Sequence, residues 1–168
     1  MKDIVIRPAE SPGDVATVQE LWREYWRSFA LPDYFQGFRQ ELDGLPGVYG
    51  QRGGALLVAW AGEQPVGTIA LRRLNDLSGE VKRLYLRTGF RGRRLGWRLL
   101  EAVIERAIAI KYDSLYADTL PNMVEALSLY EKLGFERVEA YSNTPTPGAI
   151  FLRKQLVVPR AGAFGDSL

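Results

Sequence analysis

The most chemically informative segment of this 168-residue chain is a basic, glycine-containing stretch that leads directly into an apolar-periodic helix. Its residues are Arg91, Gly92, Arg93, Arg94, Leu95, Gly96 and Trp97. A helix N-terminus has backbone N–H groups without intrahelical partners and carries a partial positive charge from the helix dipole. The segment therefore predicts a site for phosphate groups. The alternative is an arginine-rich turn on a solvated surface.

The chain contains no cysteine and no histidine, which restricts the chemistry open to it. Disulfides, thiolate metal sites and thiol nucleophiles need cysteine, and a serine–histidine–acid triad needs histidine. Any acid–base step must therefore use carboxylates, tyrosines, lysines or water. We expect no metal site.

The length and net charge of the chain further restrict the class of protein it can belong to. A length of 168 residues suits one ordinary domain, and a formal net charge of +2 is too small to indicate nucleic acid binding. The sequence has no apolar run of membrane-spanning length and no signal-peptide pattern at its start. We expect a single cytoplasmic domain over residues 1–158, without a nucleic acid or membrane partner, followed by a loose tail over residues 159–168.

Apolar periodicity predicts a mixed α/β chain. Ser11 and Pro12 form a helix start with a capping residue and a proline at the first position, and Pro32 ends that helix. Further helices are predicted over about 34–42, about 95–110 and about 122–133. The predicted strands cover residues 3–7, 55–61, 66–74, 80–86, 115–119, from 135 onward and 149–156.

A second signature, Leu129-Tyr130 followed by Gly134-Phe135, lies at the end of the last predicted helix. Alone it is a core helix with a glycine stop. Combined with the basic loop, it resembles the GNAT superfamily of N-acetyltransferases. That family's loop reads Arg/Gln-x-x-Gly-x-Gly/Ala, and its second motif reads Leu-Tyr-x-x-x-Gly-Phe. The loop residues that align with the first pattern are Arg91, Arg94 and Gly96.

The chain also resembles one group of uncharacterised bacterial GNAT members. The shared motifs are Leu-Pro-Gly-x-Tyr at 45–49, Glu-x-Lys-Arg-Leu-Tyr at 80–85, Asp-Thr-Leu-Pro at 118–121 and Tyr-x-x-x-Pro at 141–145. The resemblance spans residues 3 to 156. It implies an α/β (α+β) acyl-CoA N-acyltransferase fold, with a mixed central sheet of about seven strands that splays after the fourth and four flanking helices.

The resemblance assigns the basic loop to the pyrophosphate of acetyl-CoA, the implied co-substrate. It also implies that Leu84, Tyr85 and Leu86 offer backbone hydrogen bonds to the pantetheine arm, with one N–H polarising the thioester carbonyl. The middle glycine of the family loop is Arg94 here. We expect helical dihedrals at Arg94 and an outward side chain, so that Arg93, Arg94 or Arg98 reaches a phosphate.

Three residues are implied in catalysis by the same resemblance. Tyr130 matches the family tyrosine that protonates the departing thiolate, and a tyrosine stays protonated at neutral pH. Glu80 lies at the spacing of the base in the histone-acetylating branch, and Asp118 at that of the ribosomal-protein-acetylating branch. The alternatives are a packing role for Tyr130, an ion pair between Glu80 and Lys82, a turn role for Asp118, and a water molecule as the base.

The acceptor is implied to be an amine, either of a small molecule or of a peptide or protein, and the family allows a homodimer. The acceptor region should come from the first two helices and the late strands. Its aromatic candidates are Trp22, Tyr25, Trp26, Tyr34, Phe35 and Phe38, and its acidic candidates are Asp33, Glu41 and Asp43.

Three other functions compete with an acetyltransferase. A non-catalytic acyl-CoA-binding or sensor module needs the basic loop but neither Glu80 nor Tyr130. If the chain were an interaction protein, the family-like spacing of its two signatures would be a coincidence. A dinucleotide-dependent oxidoreductase fits poorly, because the loop follows a hairpin-rich run and not a first strand.

Overall fold

The centre of the fold is a mixed sheet, seen in a computed structural model that describes residues 2–30, 37–142 and 147–156. Within those ranges the sheet has seven strands in the order β1-β2-β3-β4-β5-β7-β6. The strands are β1 (Ile4–Pro8), β2 (Ala55–Ala61), β3 (Gln64–Asn75), β4 (Ser78–Leu86), β5 (Ser114–Thr119), β6 (Glu136–Val138) and β7 (Ile150–Gln155).

The direction of strand pairing changes between the fourth and fifth strands of the sheet. β4 and β5 are parallel, whereas the other neighbouring pairs of this sheet are antiparallel. Residues 78–81 of β4 pair with residues 114–117 of β5, and the ladder stops there, although β4 continues to Leu86. This divergence is the splay expected from the resemblance.

Within the described residues, four α-helices cover the two faces of the sheet. They are α1 (Pro12–Ser28), α2 (Phe38–Asp43), α3 (Leu95–Ile110) and α4 (Val124–Lys132). One core lies between the sheet and α3 with α4, and a second lies between the sheet and α1 with α2. The two cores take alternate residues of β2, as expected for a strand buried on both faces.

Local sequence signals explain where the helices begin. Ser11 caps α1, since its hydroxyl accepts a hydrogen bond from the Asp14 N–H at 3.0 Å, and Pro12 occupies the first position. Both features confirm the predicted start.

None of the helices in the described ranges is long and apolar enough to cross a membrane.

The predicted elements agree with the observed ones to within a few residues. Parts of three predictions lie outside the described residues: the helix end at Pro32, the start of the second helix at Tyr34 and Phe35, and the tail over 159–168. The second helix is therefore seen only as α2, from Phe38. The assignment of one domain to residues 1–158 stays a prediction.

Candidate active site

A cleft opens where β4 and β5 diverge, because the facing edges of the two strands have no ladder beyond Val81 and Ala117. Helix α1 approaches from one face of the sheet and α4 from the other. The cleft is lined by Tyr25, Trp26, Phe29, Val81, Lys82, Arg83, Leu84, Asp118, Thr119, Leu120, Met123, Ala126 and Tyr130. Two of the three predicted catalytic residues, Tyr130 and Asp118, thus lie in one cleft, together with Leu84.

Tyr130 contributes the phenol of α4 to this cleft. The residue is buried, and its ring packs edge-on against Phe135 with the ring centroids 5.1 Å apart. Its hydroxyl has no hydrogen-bond partner among the described residues. Burial raises the pKa of Tyr130, and the nearby groups Tyr25, Asp118 and Glu80 raise it further. A phenol held protonated and unpartnered in a cleft is suited to donating a proton.

Asp118 stands near the end of β5 on the rim of the splay. Its Oδ1 accepts a hydrogen bond from Lys82 Nζ at 3.1 Å, which bridges the gap between the two strands. The Asp118 side chain is 18% exposed, so a molecule in the cleft can reach it. Its position gives the cleft a carboxylate that a bound molecule can contact.

Glu80 is more deeply buried than Asp118, and other side chains occupy both of its carboxylate oxygens. Its side chain is 2% exposed. Oε1 accepts a hydrogen bond from Arg72 Nε at 2.6 Å, while Oε2 accepts one from the Tyr141 hydroxyl at 2.6 Å and lies 3.6 Å from Lys82 Nζ. The ion pair with Lys82 considered from the sequence is therefore present. The burial of Glu80 and its occupied oxygens favour a supporting role over direct contact with an acceptor.

The basic loop adopts a different backbone from the one expected at Arg94. Arg94 is the N-cap of α3, with φ 58° and ψ 14°, in the left-handed region and not in the right-handed helical one. The family prefers glycine at this position, and glycine alone adopts such dihedrals without a Cβ penalty. The expectation of helical dihedrals was wrong, because the turn into α3 requires a positive φ whichever residue occupies it.

This geometry predicts the effect of restoring the family residue. Arg94→Gly should raise the free energy of unfolding by about 1 kcal/mol, because it removes a left-handed non-glycine residue. Thermal denaturation measures the change. Lys111→Gly at the other end of α3 is the matched control, since Lys111 has φ 75° and should give a similar gain. An unchanged or lowered stability of Arg94→Gly, with a gain at Lys111→Gly, would contradict the strain at the loop.

The remaining loop residues connect β4 to α3. Arg91 Nε donates a hydrogen bond to the Leu86 carbonyl at 3.1 Å, which ties the loop to the end of β4. Gly92 has a positive φ of 76°. A Cβ at Gly96 would lie 3.2 Å from Leu129 and 3.4 Å from Leu86, so this glycine lets α3 pack closely against α4 and β4. The loop is thereby held beside the cleft.

The exposed arginines of the loop stand over aromatic rings. The Arg93 guanidinium lies 5.6 Å from the Phe90 ring, and that of Arg94 lies 5.5 Å from the Trp97 ring. Arg98 instead donates a hydrogen bond to the Ile4 carbonyl of β1 at 3.0 Å. Leu95 is buried. The N–H groups of the first turn of α3 have no side-chain cap, which leaves them available to an anion.

The residues predicted to bind the pantetheine arm all lie on the part of β4 beyond its ladder with β5. Leu84 lines the cleft, and Leu86 packs against the core beneath α3. The Tyr85 side chain turns to the α1 face, where its hydroxyl donates to Glu24 at 3.3 Å and its ring contacts Tyr25. The backbone edge of this segment faces the gap left by β5.

The α1 side of the cleft is aromatic, as the sequence indicates. Tyr25 and Trp26 line it, together with Phe29, whereas Trp22 and Phe38 are buried in the core beneath. Glu41 is bound by Arg83 and Tyr49, and Asp43 is exposed. The candidates Asp33, Tyr34 and Phe35 lie outside the described residues.

Sequence reasoning missed four polar residues of the site. They are Arg72, Arg83, Thr119 and Tyr141. Signals for three of them were present, because Arg83, Thr119 and Tyr141 belong to the motifs shared with the bacterial group. Thr119 Oγ1 is buried and has no hydrogen-bond partner within the described residues, although it lines the cleft.

Comparisons with known proteins agree with this architecture. The model of the acetyltransferase (GNAT) family matches residues 15–135. A Schizosaccharomyces pombe protein named as an uncharacterized N-acetyltransferase is 30% identical over 156 residues, which cover 92% of this chain and 96% of that protein. This chain therefore belongs to the GNAT acetyltransferase family, and it is an N-acetyltransferase.

Solved structures share the fold. An acetyltransferase from Streptococcus agalactiae has a TM-score of 0.78 at 24% identity, covering 93% of this chain and 100% of that one. A GNAT family acetyltransferase from Elizabethkingia anophelis, solved with acetyl-CoA bound, has a TM-score of 0.60 at 21% identity, with coverage of 93% and 100%. The splayed seven-stranded sheet with four helices is thus the GNAT fold.

Proposed function

We propose that this enzyme transfers the acetyl group of acetyl-CoA to an amine by direct attack, with Tyr130 as the general acid. The observation that carries this proposal is the cleft between β4 and β5. It brings the unpartnered Tyr130 phenol, the Asp118 carboxylate and the open edge of β4 to one place. A non-catalytic acyl-CoA module would need only the edge and the loop.

Acetyl-CoA fits the groups that this chain offers. The uncapped N-terminus of α3 and the arginines of the basic loop suit a pyrophosphate. The open edge of β4 at Leu84, Tyr85 and Leu86 has unpaired backbone groups that can bind an amide-containing arm as a further strand binds. The loop and the edge are continuous in the chain, so one extended molecule can contact both.

The proposed reaction needs two proton transfers, and a different residue carries out each of them. The departing thiolate must gain a proton, and Tyr130 is the phenol that can supply it. The attacking amine must lose a proton, and we assign that step to Asp118. Asp118 is preferred to Glu80 because it is accessible from the cleft, whereas the Glu80 oxygens are engaged with Arg72 and Tyr141.

The experiment that tests this function first is calorimetric titration of the purified protein with acetyl-CoA and, as a control, with NAD. We expect acetyl-CoA to bind with a micromolar Kd and NAD not to bind. Release of free thiol on addition of amines then measures turnover. A protein that binds neither molecule would contradict the assignment of the loop and with it the proposed reaction.

A further inference from the structure

Two consecutive cations, Lys82 and Arg83, line the same cleft, which is unusual for a β-strand. Successive side chains of a regular strand point to opposite faces. Here a β-bulge interrupts β4, because Thr68 pairs with Tyr85 while Ala70 pairs with Lys82. Two residues of β4 therefore oppose one of β3, and Arg83 has a left-handed φ of 57°. The bulge places both cations at the splay.

Arg83 is held in a prepared position. Its side chain is 10% exposed, and its guanidinium lies 5.3 to 5.8 Å from the ring centroids of Trp22, Trp26 and Phe38. Nη2 donates a hydrogen bond to Glu41 Oε2 at 2.8 Å. The other Glu41 oxygen accepts from the Tyr49 hydroxyl at 2.6 Å, so the carboxylate that anchors Arg83 is itself fixed.

The anchored guanidinium still has unused hydrogen-bonding capacity. Its Nε is buried and has no partner within the described part of the chain. A buried donor without a partner is costly, and an arginine has five N–H donors arranged to bind a carboxylate through two of them. An anionic group that enters the cleft beside Arg83 would relieve this deficit.

The charges that line the cleft favour an anion beside the amine. Lys82 and Arg83 are cationic, and Asp118 is the one acidic residue in the described lining. If Asp118 takes the proton of an acceptor amine, Lys82 loses its partner at 3.1 Å. Arg83 keeps its partner Glu41 at 2.8 Å, but Lys82 keeps only the longer contact with Glu80 at 3.6 Å, so the positive charge beside the amine is less well offset. An acceptor with its own carboxylate restores the balance.

We propose that the acceptor is an amine that also carries a carboxylate, in the manner of an α-amino acid, and that Arg83 binds this carboxylate with Lys82 beside it. The aromatic side chains of Tyr25, Trp26 and Phe29 would face the apolar remainder of the molecule. This inference deepens the proposed function and rests on it.

The test compares matched acceptors at saturating acetyl-CoA. L-Phenylalanine, its amide and phenethylamine share one ring but differ in the carboxylate, and the other standard amino acids extend the series. Thiol release gives kcat and KM for each. We expect kcat/KM for amino acids to exceed that for their amides by about tenfold or more, the usual effect of a charge-assisted hydrogen bond.

Two variants test the role of the guanidinium. Arg83→Lys keeps the charge but loses the planar fork, so KM for the amino acid should rise about tenfold while KM for the amide rises much less. Glu41→Gln is the matched control, because it removes the charge of the partner but keeps an oxygen that can accept the hydrogen bond from Arg83 Nη2, so it should retain most of the preference for the acid. Equal loss of that preference in both variants would show a merely structural ion pair and overturn the inference.

The outcomes separate this inference from the proposed function. Turnover of amides and amines that equals that of the acids overturns the inference and leaves the acetyltransferase assignment intact. Binding of acetyl-CoA without turnover of any standard amino acid also overturns the inference. Failure to bind acetyl-CoA contradicts the proposed function itself.

Discussion

Replacing Tyr130 with phenylalanine is expected to lower kcat about 100-fold to 10,000-fold, the usual range for a general acid, with little change in the Kd of acetyl-CoA. The substitution removes only the hydroxyl, which has no hydrogen-bond partner among the described residues. The ring contact with Phe135 remains, so the core should tolerate the change. Steady-state kinetics at saturating acetyl-CoA, together with calorimetry, separate the two effects.

The matched control for this variant is Tyr112→Phe. Tyr112 is also buried, but its hydroxyl donates to the Gly53 carbonyl at 2.7 Å, and Tyr112 is not among the residues that line the cleft. We expect Tyr112→Phe to lower the free energy of unfolding by about 1 kcal/mol and to leave kcat unchanged. Full activity of Tyr130→Phe would reduce Tyr130 to a packing residue.

The pH dependence gives a second measure of Tyr130. Burial raises its pKa above the ordinary value for tyrosine, about 10. A general acid works in its protonated form, so activity that depends on it is lost only as the pH rises through that raised pKa. We expect no decline of kcat from this group between neutral pH and about pH 10.

Local signals in the sequence predicted the elements of the fold because those elements depend on neighbouring residues. The Ser11 cap, the Pro12 start and the apolar spacing of α1 act within one or two turns. The two motifs then predicted the mixed sheet and its splay after the fourth strand through the family they resemble. The insertion of β7 between β5 and β6 was not predicted, because apolar periodicity does not show which strands pair.

The backbone of the site could not be predicted in the same way. Arg83 and Arg94 both adopt left-handed dihedrals, against the preference of arginine for negative φ. The bulge in β4 and the turn into α3 impose these dihedrals through packing and pairing. The sequence shows only that an arginine occupies each position. Because non-glycine residues usually adopt a negative φ, the sequence predicts the wrong backbone conformation there.

The hydrogen-bond partners of Glu80 also could not be predicted from its neighbours in the sequence. Lys82 is two residues away and was recognised as a partner, but Arg72 lies across the β3–β4 ladder and Tyr141 is 61 residues further along the chain. These distant partners make Glu80 a closed, paired carboxylate. A spacing from the loop cannot distinguish such a group from an accessible base, and this difference leads to the second large prediction.

Asp118→Asn is expected to lower kcat at neutral pH about 100-fold, because an amide cannot accept the proton of the attacking amine. The loss should shrink as the pH rises, since a growing fraction of the amine is already neutral and needs no base. The pH profile of the variant should therefore move to higher pH than that of the wild type. Asparagine keeps the size of the side chain and its acceptor oxygen toward Lys82 Nζ.

Glu80→Gln is the comparison that decides between the two carboxylates. Glutamine keeps the shape of Glu80 but weakens the contacts with Arg72 and Tyr141, so the free energy of unfolding should fall by about 2 kcal/mol. The pH profile of the remaining activity should stay in place, because Glu80 supports the β3–β4 region without contacting the amine. A shifted profile for Glu80→Gln and an unshifted one for Asp118→Asn would instead make Glu80 the base, and two unshifted profiles would leave that step to water.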